Sequence, residues 1–228
     1  YGIAKIAPVD ITAPRLNQKT VQRASFARIE GTNSDTLLQV QNVDSLLEVT
    51  EGIHGNVSLS TSGSTLLNGE SGYFRDTLIE NGGELKAGNA LAFSPSSDIT
   101  IQPGGVLDLG GYANTIPGLY GGSRSEADPG IITLLGGSLT VSKGDFAGTI
   151  EDGTIEDVPG SQGAVFKIGA SGDDLILSGL NQYFSPTFVD GGVLKAGADG
   201  SLSPNSRHVL RGGELDLRGF QQVLPELN

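Results

Sequence analysis

The sequence predicts an all-β chain wound as a parallel β-helix, a solenoid of about ten coils. Three observations predict it: a long-period internal duplication, short apolar/polar alternations throughout the duplicated text, and glycine pairs between them. The first copy reads GGELKAGNALAFSP at residues 82–95 and PGGVLDLGGYANTIPGL at 103–119. The second reads GGVLKAGADGSLSP at 191–204 and RGGELDLRGFQQVLPEL at 211–227. Gly82 recurs as Gly191, 109 residues on, and Gly105 as Gly213, 108 residues on. The match reaches upstream, where GESGYFRDTLIENGG at 69–83 lines up with GLNQYFSPTFVDGG at 179–192. A weaker echo links LLEVTEGIHG at 46–55 with SLTVSKGDFAG at 138–148. With about 22 residues per coil, the period is close to five coils, and an integral number of coils keeps every inward side chain inward. An antiparallel sandwich has no such tolerance.

In chain order, residues 1–35 lack the glycine punctuation and contain Pro8 and Pro14, which predicts an N-terminal cap or extended arm. From residue 36 to 228 the text is short strands of period two, expected to form the helix. Leu47 and Val49, Val57 and Leu59, Leu85 and Ala87, Ile99 and Ile101, and Leu107 and Leu109 read as inward pairs. Leu139 and Val141, Phe166 and Ile168, Leu175 and Leu177, Leu194 and Ala196, and Leu215 and Leu217 continue the scheme. Glycine pairs between the strands supply the positive φ of tight bends. Alternation fails at 121–130 and 148–163, which read as excursions from the coil.

Composition narrows function. The 35 glycines follow no three-residue period, which excludes collagen, and the chain has no Cys, which excludes disulfides, iron–sulfur clusters, thiolate zinc and a cysteine nucleophile. A net charge of −12 argues against nucleic acid and anionic lipid as partners. No apolar run is long enough to cross a membrane as a helix, so no membrane insertion of this fragment is expected. No signal peptide is written in it; the text opens on Tyr1 and reads as a processed or excised piece.

The glycine-punctuated text at 82–116, at 163–197 and at 212–220 resembles the autotransporter-associated β-strand repeat of bacterial type V autotransporter passenger domains. With the echo at 46–55, the likeness covers most of 46–227. The resemblance implies a right-handed parallel β-helix, exported through an outer-membrane barrel and then displayed on the cell or shed from it. It implies a secreted or bacterial-surface virulence factor without cofactors. Its partner would be a host-cell surface protein, matrix or glycan, met as an adhesin or as a released receptor ligand, including growth-factor-like signals to endothelial cells.

Catalytic constellations are poorly supported by the residues. Only His54 and His208 could serve a triad, and neither has a nucleophile-elbow motif beside it. A carbohydrate-active enzyme, glycosidase or lyase, is the alternative reading, with Asp173 and Asp174 as acid and base beside His54 and Arg207. That doublet also reads as a turn opening a strand. A third reading makes the chain a passive spacer for a head elsewhere in the parent protein. For Ca²⁺, 104–109 approaches the glycine-rich nonapeptide, but Asp108 reads as the wet side of a strand; no metal site is expected. Two clusters remain as candidate partner contacts. Thr-Ile-Glu-Asp occurs twice in the second excursion and concentrates Glu151, Asp152, Glu156 and Asp157. Residues 1–30 carry a net +3 through Lys5, Arg15, Lys19, Arg23 and Arg28 against Asp10 and Glu30, suited to an acidic partner such as a sulfated glycan. A solvated loop and a solvated arm are the plainer readings of the two.

Overall fold

The computed structural model describes residues 4–5, 10–11, 22–41, 45–124, 127–153 and 163–228, with 4–5, 10–11, 22–23 and 32–35 described by backbone alone. Every named strand pair in it is parallel, and the described residues contain strands and turns but no helix. The chain is a β-solenoid of about eight turns, close to the ten expected from the period.

Three ladders run along the rod. On the first face Leu38, Leu59, Thr77, Ile99, Leu119, Gly144, Leu175, Leu194 and Leu215 are stacked in register. On the second, Leu47, Thr65, Leu85, Leu107, Ile132 and Ile150 do the same. On the third, Asn114, Leu139, Val165, Thr187 and His208 are stacked. Strands Ile29–Val40, Ile53–Thr61, Ala113–Gly121 and Ser138–Phe146 are long enough to turn the corner between the third face and the first. Strand Gln22–Phe26 joins the second-face ladder through Ser45–Val49, inside the segment expected as a cap. Each rung covers the apolar atoms of the rung before it, so side chains such as Leu85, Leu107, Leu139 and Ile101 are fully buried. The excursions lengthen individual turns. Gly144 and Leu175, flanking the second, are 31 residues apart, whereas Leu175 and Leu194 are 19 apart. The first excursion lies along the rod, with Asp128 accepting from Asn81 upstream at 3.1 Å and Arg124 donating to the Asp199 carbonyl downstream at 3.2 Å.

The duplication does not span an integral number of coils. In the first copy, Thr77–Ile79 lies on the first face and Glu84–Ala87 on the second. In the second copy, Thr187–Val189 lies on the third face and Val193–Ala196 on the first. The equivalent text is therefore displaced by five turns less one face. The core tolerates this because all three faces share one rule: strands of three or four residues with alternate side chains inward. What must be conserved is the phase of the alternation.

Both copies build the same buried polar junction. Tyr73 Oη meets Thr77 Oγ1 at 2.7 Å, and Thr77 meets Ser97 Oγ at 2.8 Å, while Ser94 Oγ donates to the Tyr73 carbonyl at 2.5 Å. Tyr183, Thr187, Ser206 and Ser203 repeat it at 2.8, 2.9 and 2.7 Å. A buried tyrosine needs a partner for its hydroxyl, and here it has one. Burial pushes the Tyr183 hydroxyl up to about 12, and that of Tyr73 upward as well.

One stretch is in the opposite phase to its expectation. In Ala164–Lys167, Val165 and Lys167 are buried and Phe166 faces outward. The ladder fixes this phase, since Lys167 is in register with inward Val141 before it and Val189 after it. Outside, the Phe166 ring stacks on Phe188 with centroids 5.1 Å apart, and the Arg211 guanidinium lies 4.1 Å from the Phe188 centroid. Inside, the Lys167 ammonium donates to the carbonyls of Ile168 and, at 3.0 Å, Gly191. Burial pushes its pKa down, and the nearby Asp173 and Asp174 oppose that shift.

Candidate binding site

Strand Thr149–Glu151, at the start of the second expected excursion, is paired to Ile131–Thr133 on the second face. Glu151 and Asp152 continue the ladder by their carbonyls, which accept from the N–H groups of Leu134 and Leu135 at 2.9 and 2.8 Å. Gly153 follows in the left-handed region at φ 73°. Here there is an open cleft of about 340 Å³ lined by Glu151, Asp152, Gly153, Gln182 and Phe184.

Asp152 bonds to the next rung through its side chain. Its Oδ2 accepts from the Phe184 N–H at 2.5 Å and its Oδ1 from the Ser185 hydroxyl at 2.7 Å. In the first copy the equivalent N–H, that of Phe74, donates to the Gly55 carbonyl at 3.2 Å. A side-chain carboxylate thus stands where the ladder otherwise supplies a main-chain acceptor. Phe184 is left 67% exposed on a backbone held from three directions: by Asp152, by the locked Tyr183 and by Ser185. Among the described residues the half-buried Glu151 carboxylate has no hydrogen-bond or ionic partner.

The other expected contacts are scattered. Glu156, Asp157, Arg15 and Lys19 lie outside the described residues. Arg23 is on strand Gln22–Phe26, opposite Leu46 and six rungs from Glu151 along the second face, roughly 29 Å at 4.8 Å per rung. Arg28 sits 3.8 Å from Glu30. Among the described residues, Arg23 and Arg28 are not brought together with Glu151 and Asp152.

The two acids of the hydrolase reading are engaged in folding, and its histidine is distant from them. Asp173 Oδ2 caps its own turn by accepting from the Ala170 N–H at 2.8 Å, and Asp174 pairs with Lys195 at 2.5 Å. His54 is paired opposite Gly72, about five rungs from Asp173 and Asp174, roughly 24 Å. His208 is inward on the third face and fully buried. Its Nδ1 lies 2.9 Å from the Ser206 carbonyl, its Nε2 has no partner among the described residues, and burial pushes its pKa down. Asp108 is not on a wet strand face. It is buried, accepts from the Gly110 N–H at 2.7 Å and pairs with Lys86 at 2.5 Å. No group of three or more His, Asp or Glu stands close enough to hold a metal ion among the described residues.

Sequence reasoning missed Phe184 and Gln182. The signal was available: in a Tyr-Phe pair on a strand edge, a buried Tyr forces the Phe outward.

The chain is 30% identical over 160 residues, 69% of its length, to the adhesin BmaC autotransporter of Brucella suis biovar 1 (strain 1330). It spans 4% of that relative's length. No protein-family model and no solved structure matches the chain. The likeness and the parallel solenoid together fit an autotransporter passenger domain, and they support a secreted or cell-surface location.

Proposed function

We propose that the chain is a non-enzymatic, adhesin-like passenger segment whose outer loops bind a molecule on the host-cell surface. The observation that carries this reading is the engagement of Asp173 in its own turn and of Asp174 in an ion pair, about five rungs from His54, which leaves the hydrolase reading without an assembled acid, base and histidine. The relative's name, an adhesin, points the same way. Of the candidate contacts, Glu151 at the root of the second excursion has the best claim, because its carboxylate is unengaged beside an exposed ring. In this reading the two expected excursions, 121–130 and 148–163, supply the outer loops. Saturable binding of the purified chain to cultured host cells is the expected result. Hydrolysis of a polysaccharide without such binding would reverse the reading. Signalling in endothelial cells treated with the free chain would make the ligand a receptor agonist in place of an anchor.

A further inference from the structure

We infer that the cleft between Glu151 and Phe184 receives a lysine or arginine side chain from a protein partner. This rests on the adhesin-like reading and names the chemistry of its partner.

The cleft joins two groups that a cation satisfies together. Phe184 offers a ring 67% exposed, and a cation over an aromatic face is attracted by the ring quadrupole. Glu151 offers a carboxylate with no partner among the described residues. Asp152 accepts two hydrogen bonds, which fix a second carboxylate beside the cleft. An apolar side chain entering here would strip water from Glu151 and give nothing back, which is costly for a charged group. An anionic sugar would meet two carboxylates. A cation offsets the desolvation, and the chain's net −12 steers cations toward it. The backbone that carries the ring is pinned by Asp152 and by the buried Tyr183 junction, so little main-chain ordering remains for the partner to impose.

The duplication supplies an internal control. Phe74 is the equivalent ring, 55% exposed, but its N–H rests on a carbonyl and the next residue is Arg75, so no carboxylate pair faces it from the preceding rung. A response to rings in general would appear at both positions, and a response to the cleft only at the second.

The test titrates the intact chain with hexalysine, and with its fully Nε-acetylated form, at about 0.15 M salt. It follows amide NMR shifts and repeats the titration with Glu151→Gln, Phe184→Ala and Phe74→Ala. Expected are shifts centred on 151–153 and 182–185, absent with the acetylated peptide. Affinity falls about fivefold with either cleft variant, the size of one exposed cation–π contact, and stays unchanged with Phe74→Ala. Thermal melts check that each variant folds. Shifts elsewhere only, equal loss with Phe74→Ala, equal binding of the acetylated peptide, or displacement by a neutral oligosaccharide would each overturn the inference. Cell binding is measured alongside. Saturable binding that both cleft variants leave unchanged overturns the cation site and keeps the adhesin-like reading, whereas a cation-binding cleft on a chain that ignores cells does the reverse.

Discussion

The two copies of the duplicated text fold to the same strands, turns and tyrosine junctions, yet one is enclosed by rungs on both sides and the other forms the last described coils. Leu107 is fully buried, whereas its equivalent Leu215 is only partly so; Leu109 is buried, and Leu217 is 36% exposed. The same letters therefore contribute different energies. In a solenoid, burial is a property of neighbouring rungs as much as of the residue.

The largest expected effect follows directly. Leu107→Ala should destabilise the chain by about 3 kcal/mol through lost transfer energy and a cavity, and Leu215→Ala by about 1 kcal/mol, both read by urea unfolding. Equal losses would mean that the last coil is as enclosed as the middle of the rod.

Next is the acceptor that only the second copy needs from a side chain. Asp152→Ala removes the hydrogen bonds to the Phe184 N–H and the Ser185 hydroxyl and should cost about 2 kcal/mol. Amide exchange at Phe184 should accelerate while that at Phe74, bonded to the Gly55 carbonyl, stays slow. Acceleration at both would show that the junctions are coupled along the rod.

The third contrast is Ile99 against His208, equivalent positions with the side chain inward. Burial holds the His208 pKa below its ordinary value, so the unfolded chain binds the extra proton more readily. The neutral imidazole's contribution is fully present above the unfolded-state pKa of about 6.5 and is lost as pH falls below it, with a slope of at most about 1.4 kcal/mol per pH unit. Among the described residues its surroundings hold no compensating anion: Nδ1 faces the Ser206 carbonyl, and Glu226 meets the strand through its main chain. His208→Ile should flatten the acid limb of a stability-versus-pH curve, and an unchanged limb would assign that limb to other groups.

The smallest effect lies at a turn. Gly110 and Arg218 are equivalents, at φ 57° and 50°, each donating its N–H to the aspartate two residues before it. Arg218 bears the left-handed strain that the glycine avoids, so Arg218→Gly should raise stability by about 0.5–1 kcal/mol in the same unfolding assay.

Much of this was legible in the text. Alternation marked nearly every inward pair, and the glycine doublets marked the corners. The phase of Phe166 and Lys167 was not, because a run reading Val-Phe-Lys-Ile alternates either way, and the choice is made by Val141 and Val189, one rung away on each side. Nor was the displacement by one face, since the excursions add residues without adding turns. Asp152 read as one of four equivalent loop acids. Its particular place depends on an amide 32 residues later, which no local pattern announces.

The displacement of the copies has a geometric outcome. Because the second motif is rotated by about a third of the circumference, Phe74 and Phe184 look out over different sides of the rod. A planar surface such as a membrane or a mineral-like matrix can touch one of them at a time. Doubling this text thus widened the range of directions from which the shaft can be approached, and it did so without granting a two-handed grip.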